Sequence, residues 1–189
     1  MGYAISWLAV RGKDPAAVTA SLGLKASGEK AEYGEAMYTG RPLPSGWFLL
    51  VINQAEHKFM NQDSLARLSQ RSEVIASTIE EHVMVCASEA WKDGVKVWRI
   101  GHDAQESIDH INASGALPDV YASIKSSLSK QQEEAGGNAA DTDYFFDIPL
   151  QTAKSIVGFK HDEDSGLEDG GFEVFKESVG SSKPWWKLW

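Results

Sequence analysis

The stretch Ala90 to Trp98, AWKDGVKVW, decides the fold class. Asp-Gly between two runs of branched and aromatic residues is a strong hairpin signal, because the type I′ two-residue turn needs positive φ at both positions, which Asp and Gly tolerate. A turn at Asp93–Gly94 pairs Lys92 with Val95, Glu89 with Trp98, Ser88 with Arg99 and Val85 with His102. A mid-chain hairpin of this kind points to an antiparallel or mixed sheet rather than a parallel one with a helix after every strand.

On the amino-terminal side the whole run EVIASTIEEHVMVCASEAW (73–91) reads as the first arm. Further upstream, GYAISWLAV (2–10) and WFLLVIN (47–53) are buried strands, and EKAEYGEAMYTG (29–40) is a weaker one. Between them, Asp14 caps a helix, Pro15 fits its first position and Gly23 ends it; NQDSLARLSQRS (61–72) is a second helix. Downstream, ESIDHINASG and YFFDI read as strands, PDVYASIKSSLSKQQEE (118–134) and PLQTAKSIVGF as helices, and FEVFKE (172–177) as a last strand. The expectation is an α+β domain over 1–177, with a sheet of about six to eight strands and three to four helices packed mainly on one face. Residues 178–189 follow as a Gly/Ser linker and a Trp-rich anchor.

The 189 residues are 42% hydrophobic and 24% charged, enough for one domain with a real core. Net charge is −9 and no Lys/Arg cluster occurs, which argues against a nucleic-acid partner and favours a basic one. The single cysteine, Cys86, sits in the apolar run VMVCA and reads as a core residue; with no signal-peptide pattern, the expected compartment is cytoplasmic. No window approaches the ~20 apolar residues that a membrane helix needs.

Nucleotide-binding glycine loops, nucleophile elbows and His-Glu-x-x-His zinc helices do not occur in the sequence. Glu80 and His82 share one face of a strand and form the candidate acid–base unit. His102, His110 and His161 are the other histidines a hydrolytic site would draw on. In the acidic stretch after His161, Asp162, Asp164 and Glu173 fall on positions one, three and twelve of a calcium loop. Gly166 and Leu167 stand where that loop wants a ligand and a glycine, so the match is partial. No cofactor is expected otherwise; Ca²⁺ or Mg²⁺ is the one exception this stretch admits.

The chain closes with KPWWKLW (183–189). In a helical turn Trp185, Leu188 and Trp189 share a face, Trp186 points elsewhere, and Lys183 and Lys187 stay wet. These four apolar residues are the candidate partner-binding set, acting on a protein partner or on another copy of the chain.

Together, MGYAISWLAV, LPSGWFLLVIN, EEHVMVCASEAWKDGVKVWRI, IDHINASG and DYFFDIPLQTAKSIVGFKHDED resemble a family of small soluble bacterial proteins to which no activity is attached. The resemblance implies a bacterial, soluble, single-domain protein and carries over no catalytic residue. The functional expectation is a non-catalytic binding protein, immunity-like in one version, with a docking tail. The alternative is a metal-assisted or acid–base hydrolase using scattered His, Asp and Glu.

Overall fold

The computed structural model describes residues 2–163 and 171–178. Asp93 and Gly94 take φ of 50° and 83° and form the tight turn that the sequence specifies. It joins β6 (Val85–Lys92) to β7 (Val95–Asp103). Pairing begins as expected, with Lys92 opposite Val95 and Trp91 opposite Lys96. It then slips by one residue, so that Ala90 faces Trp98, Glu89 faces Arg99 and Cys86 faces His102. Val97 is the extra residue of a β-bulge, and the expected pairs beyond it are each displaced. The bulge sends Trp98, Ile100 and His102 into the interior and leaves Arg99 outside; an unbroken register would bury the guanidinium instead.

Two other readings are corrected. The run 73–91 is not one strand: it is β5 (Glu73–Glu80), a turn at 81–84 with Met84 at φ 53°, and β6. The local signal is Glu80-Glu81-His82, which interrupts the apolar run, but Val83, Met84 and Val85 resume it at once and the turn carries no glycine, proline or asparagine. YFFDI is not a strand either; it leads into α4 (Asp147–Val157), with Asp143 Oδ1 accepting the Phe146 N–H at 3.1 Å.

The remaining elements are β1 (Ala4–Arg11), α1 (Pro15–Ser21), β2 (Leu24–Ala31), β3 (Tyr38–Pro42), β4 (Phe48–Ile52), α2 (Gln62–Leu68), β8 (Asn112–Gly115), α3 (Val120–Glu134) and β9 (Phe172–Glu177). Asp14 caps α1 as read, accepting the Ala16 N–H at 2.9 Å. The protein is α+β, with one antiparallel sheet in the order β2-β9-β3-β4-β1-β5-β6-β7-β8. The described residues hold nine strands, more than the six to eight expected: the run 29–40 is not one strand but the end of β2, a turn with Gly34 at φ 88°, and the start of β3, and 73–91 likewise divides into β5 and β6. One row of paired residues crosses the whole sheet: Ala26, Phe175, Tyr38, Ile52, Ser6, Thr78, Ala87, Gly101, Asn112. The next row toward the same sheet end contains Leu24, Glu177, Ala4, Glu80, Val85 and Asp103.

Helices cover both faces, which corrects the expectation of one. Strand β1 is buried from Ile5 to Val10, so its alternate residues need two cores. Ile5, Trp7 and Ala9 pack with Leu49, Ile75 and Ile100 under Ile148, Leu150 and Val157 of α4. Helix α3 lies against α4 and adds Leu128. Leu8 and Val10 pack with Leu50, Ile52 and Val74 under Val18 of α1 and Leu65 and Leu68 of α2. Strands β1 and β2 run the same way, as do β4 and β5, so α1 and α2 are crossover helices; right-handed crossovers in opposite directions across the sheet place both on one face. The α3–α4 pair, inserted between β8 and β9, takes the other.

Gly115 lets β8 meet the bulge. Its φ is 86°, the next N–H (Ala116) donates to Val97 O at 2.8 Å, and a Cβ would lie 2.8 Å from Trp98 Cα and against the Val97 carbonyl. Gly115→Ala is expected to destabilise the fold by about 2 kcal/mol or more. Gly23→Ala, with φ 70° but open space around it, should lose only the ~1 kcal/mol of a left-handed residue. Denaturant unfolding of the two variants checks the difference.

Candidate functional site

The histidines are distributed among separate structural tasks. His57 accepts the Phe59 N–H at 3.2 Å and meets the Tyr38 hydroxyl at 3.1 Å. Glu80 and His82 do bond to each other, at 2.7 Å, but on the exposed turn between β5 and β6. Glu81, their neighbour, turns the other way and holds the buried His161, with 2.9 Å between Oε1 and Nε2. Ser77 and Ser88, one on each arm of that hairpin, are buried and bonded to one another at 2.7 Å.

His102 forms a latch. Its side chain is fully buried, with Nε2 2.9 Å from Asp143 Oδ2 and Nδ1 2.8 Å from the His110 carbonyl. Burial pushes its pKa down, but the bonds to Asp143 and to the His110 carbonyl outweigh that and leave it raised. Asp143 also caps the approach to α4, so this pair ties the α3–α4 connection to the sheet. Cys86 lies beside the latch, donating to Phe146 O at 3.1 Å; burial raises its thiol pKa well above the usual range, as expected of an inert core cysteine.

Asp162 belongs to a second buried cluster. Lys160, 4% exposed, lies 2.8 Å from Asp162 and 3.0 Å from Asp147. Burial disfavours both charges, yet the Lys160–Asp162 hydrogen bond raises the lysine pKa and lowers the aspartate's. Glu173 is on the opposite face of the sheet, paired across β2–β9 with Lys30 and lining a groove beside α1. Asp164 lies outside the described residues, as do Trp185, Trp186, Leu188 and Trp189. Among the described residues, no group of three or more His, Cys, Asp or Glu is placed to hold a metal ion.

The groove beside α1 measures about 820 Å³, but its floor residues Leu24, Phe48 and Phe175 are only 3–6% exposed and already seal one another. A larger cleft, about 890 Å³, opens on the same face where neither α1 nor α2 reaches. Small residues from four adjacent strands make its floor: Ala4, Thr78, Ala87 and Gly101. Its walls are the segment 53–56 after β4, the β5–β6 turn, and the β7–β8 connection with Glu106 and His110. The His110 ring is fixed by accepting the Asp103 N–H at 2.9 Å, with Nε2 3.4 Å from Glu106. Arg99 reclines over Gly101, its Nη1 2.9 Å from where a Cβ would stand.

Charge in this cleft is one-sided. Glu56, Glu80, Asp103 and Glu106 line it against the single Arg99. From β1 to β8 the cleft crosses four strand spacings, roughly 19 Å at ~4.8 Å each. About six extended residues span that length. Sequence reasoning reached Glu80 but not Glu56, Asp103 or Glu106, which come from three separate loops and strand ends. It missed Asp143 because YFFDI, read as a strand, hid a cap at its start.

No protein-family model, curated protein or solved structure matches the chain.

The His102 latch has a pH signature. A raised folded-state pKa means stability that is complete below pH ~6.5 and is lost as pH rises through the folded value. Thermal melting from pH 5.5 to 8.5 should therefore show a falling contribution in the native chain that Asp143→Asn removes. The difference between the two curves, largest at low pH, isolates the latch from the other titrating groups.

Proposed function

We propose that this protein is a non-catalytic binding module whose partner presents a basic, extended segment. The observation carrying this reading is the open cleft: a floor of small residues, four carboxylates around it, and a length of about six extended residues. Small side chains let a partner's backbone come close to the sheet. The carboxylates attract lysine or arginine and reject acidic competitors. The chain's net charge of −9 adds long-range steering of a basic partner. An immunity-type protein that neutralises a basic toxin is one form such a module takes, acting in the cytoplasm. The Trp-rich residues 185, 186, 188 and 189 belong to the same reading as a docking segment.

The hydrolase alternative would draw on His110 and Glu106 at the cleft wall, where a carboxylate stands beside a part-exposed imidazole. It receives less weight, because the ring's other nitrogen is already engaged by the backbone at Asp103 and His102 beneath it is sealed by Asp143.

Titration with fluorescently labelled hexalysine tests the binding reading. Saturable binding is expected, weakening steeply with added salt, while labelled hexaglutamate stays unbound. Glu80→Gln with Glu106→Gln should weaken it about five- to tenfold, the effect of removing two rim charges worth up to ~1 kcal/mol each. Equal affinity in the double variant overturns the assignment of the cleft.

A further inference from the structure

We infer that the partner's segment places an arginine side chain over Gly101, in the seat that the guanidinium of Arg99 holds in the free protein, and that Arg99 withdraws toward Glu89 as that arginine arrives. The inference rests on the cleft reading given above and names the side chain which that reading calls basic.

Gly101 is the first observation. It lies inside β7 without a positive φ, so the backbone does not demand a glycine, and a strand interior is weakened by one. The nearest heavy atom to an added Cβ is Arg99 Nη1, at 2.9 Å; outside Arg99 the nearest is Cys86 O, an ordinary contact at 3.8 Å. The missing side chain thus makes room for one thing, a flat cation laid on the cleft floor. A guanidinium suits that place better than an ammonium, because it is planar and weakly hydrated, whereas an ammonium keeps a tight water shell. Asp103, two residues along the same face of β7, and Glu106 supply the charge that receives it.

The second observation is how loosely Arg99 is held. Among the described residues its one charge partner is Glu89, and Nε stands 4.0 Å from Oε2, too far for a hydrogen bond. Glu89 is bound more closely by Lys96, at 2.9 Å. The Arg99 side chain is 44% exposed, so leaving the seat breaks little.

The third is room to withdraw. A second pocket, about 340 Å³, lies on the far side of Arg99 and shares Thr78, Ala87 and Arg99 with the cleft. Glu89 and Lys96 line it, beside the start of α2. Of the three shared residues only Arg99 is long enough to rise above the floor, so its side chain is the partition between the two spaces. Turning that side chain toward Glu89 converts the 4.0 Å contact into a close ion pair and opens the seat.

The test reads the ratio of the hexalysine to the hexaarginine dissociation constant, from which general effects on fold and net charge cancel. Labelled peptides are titrated into the native chain, Arg99→Gln and Gly101→Ala. The native chain should favour hexaarginine. Arg99→Gln empties the seat and should raise the ratio about threefold, whereas Gly101→Ala fills it with a methyl group, keeps every charge and should lower the ratio about threefold. Glu89→Gln removes the acceptor for Arg99, and should weaken hexaarginine more in the native chain than when Arg99→Gln is also present. An equal loss in both backgrounds overturns the withdrawal of Arg99. Saturable binding of both peptides with one ratio in all three proteins overturns the arginine seat and leaves the cleft reading standing. If neither peptide binds the native chain, the cleft reading fails and the seat with it.

Discussion

Strand β1 sets the terms for the rest of the molecule. Six consecutive residues, Ile5 to Val10, are buried, so both faces of the sheet's centre must be sealed from water. Alternation sends Trp7 one way and Leu8 the other, and each side needs its own helices. Burying a side chain of this size contributes about 1.5–3 kcal/mol, so neither face can be left open at β1 without losing much of a typical domain's net stability. Four helices cannot cover nine strands twice. The coverage is concentrated over the centre, and the bare area falls on one face of β5 to β8.

The cleft follows from that shortage. Where no helix lies over the sheet, large apolar side chains would be exposed, and the floor is built instead from Ala, Thr and Gly. Polar loop residues gather around it because the strand ends meet solvent there. The structural histidines are a by-product of the same geometry. His102 and His161 fill buried positions at the junction between sheet and helical layer, and each is tied to a carboxylate on a loop, Asp143 and Glu81. Such pairs contribute little net stability when intact, but breaking one leaves a buried polar group unmatched, so they fix a unique arrangement of the connections.

The α+β class, the hairpin turn and the caps of α1 were legible because each depends on neighbours within a few residues. Asp93-Gly94 needs only its own backbone, and Asp14 needs only Ala16. What stayed hidden depends on contacts across the sheet. Nothing near Val97 announces a bulge; its cause is the requirement that Trp98 enter a core whose other residues lie far away in sequence. The split of the helices over two faces follows from strand order, which pairing between distant segments decides. Glu80 and His82 could be found as a pair by their spacing, whereas Glu56, Asp103 and Glu106 are brought together only by the fold.

The bulge at Val97 also works as a frame marker for everything after it in β7. Upstream of it, even-numbered Lys96 stands on the solvent side over the Trp91 ring; downstream, even-numbered Trp98, Ile100 and His102 are interior. One residue thus separates two incompatible parities on a single strand. Closing the bulge with that residue still in place would exchange the buried histidine with the acidic rim and the core tryptophan with an arginine, inverting inside and outside for half the hairpin in one step. Deleting Val97 would instead leave Lys96 opposite Trp91 and Trp98 opposite Ala90, so β7 can be one residue shorter and regular, or its present length and bulged, but not its present length and regular.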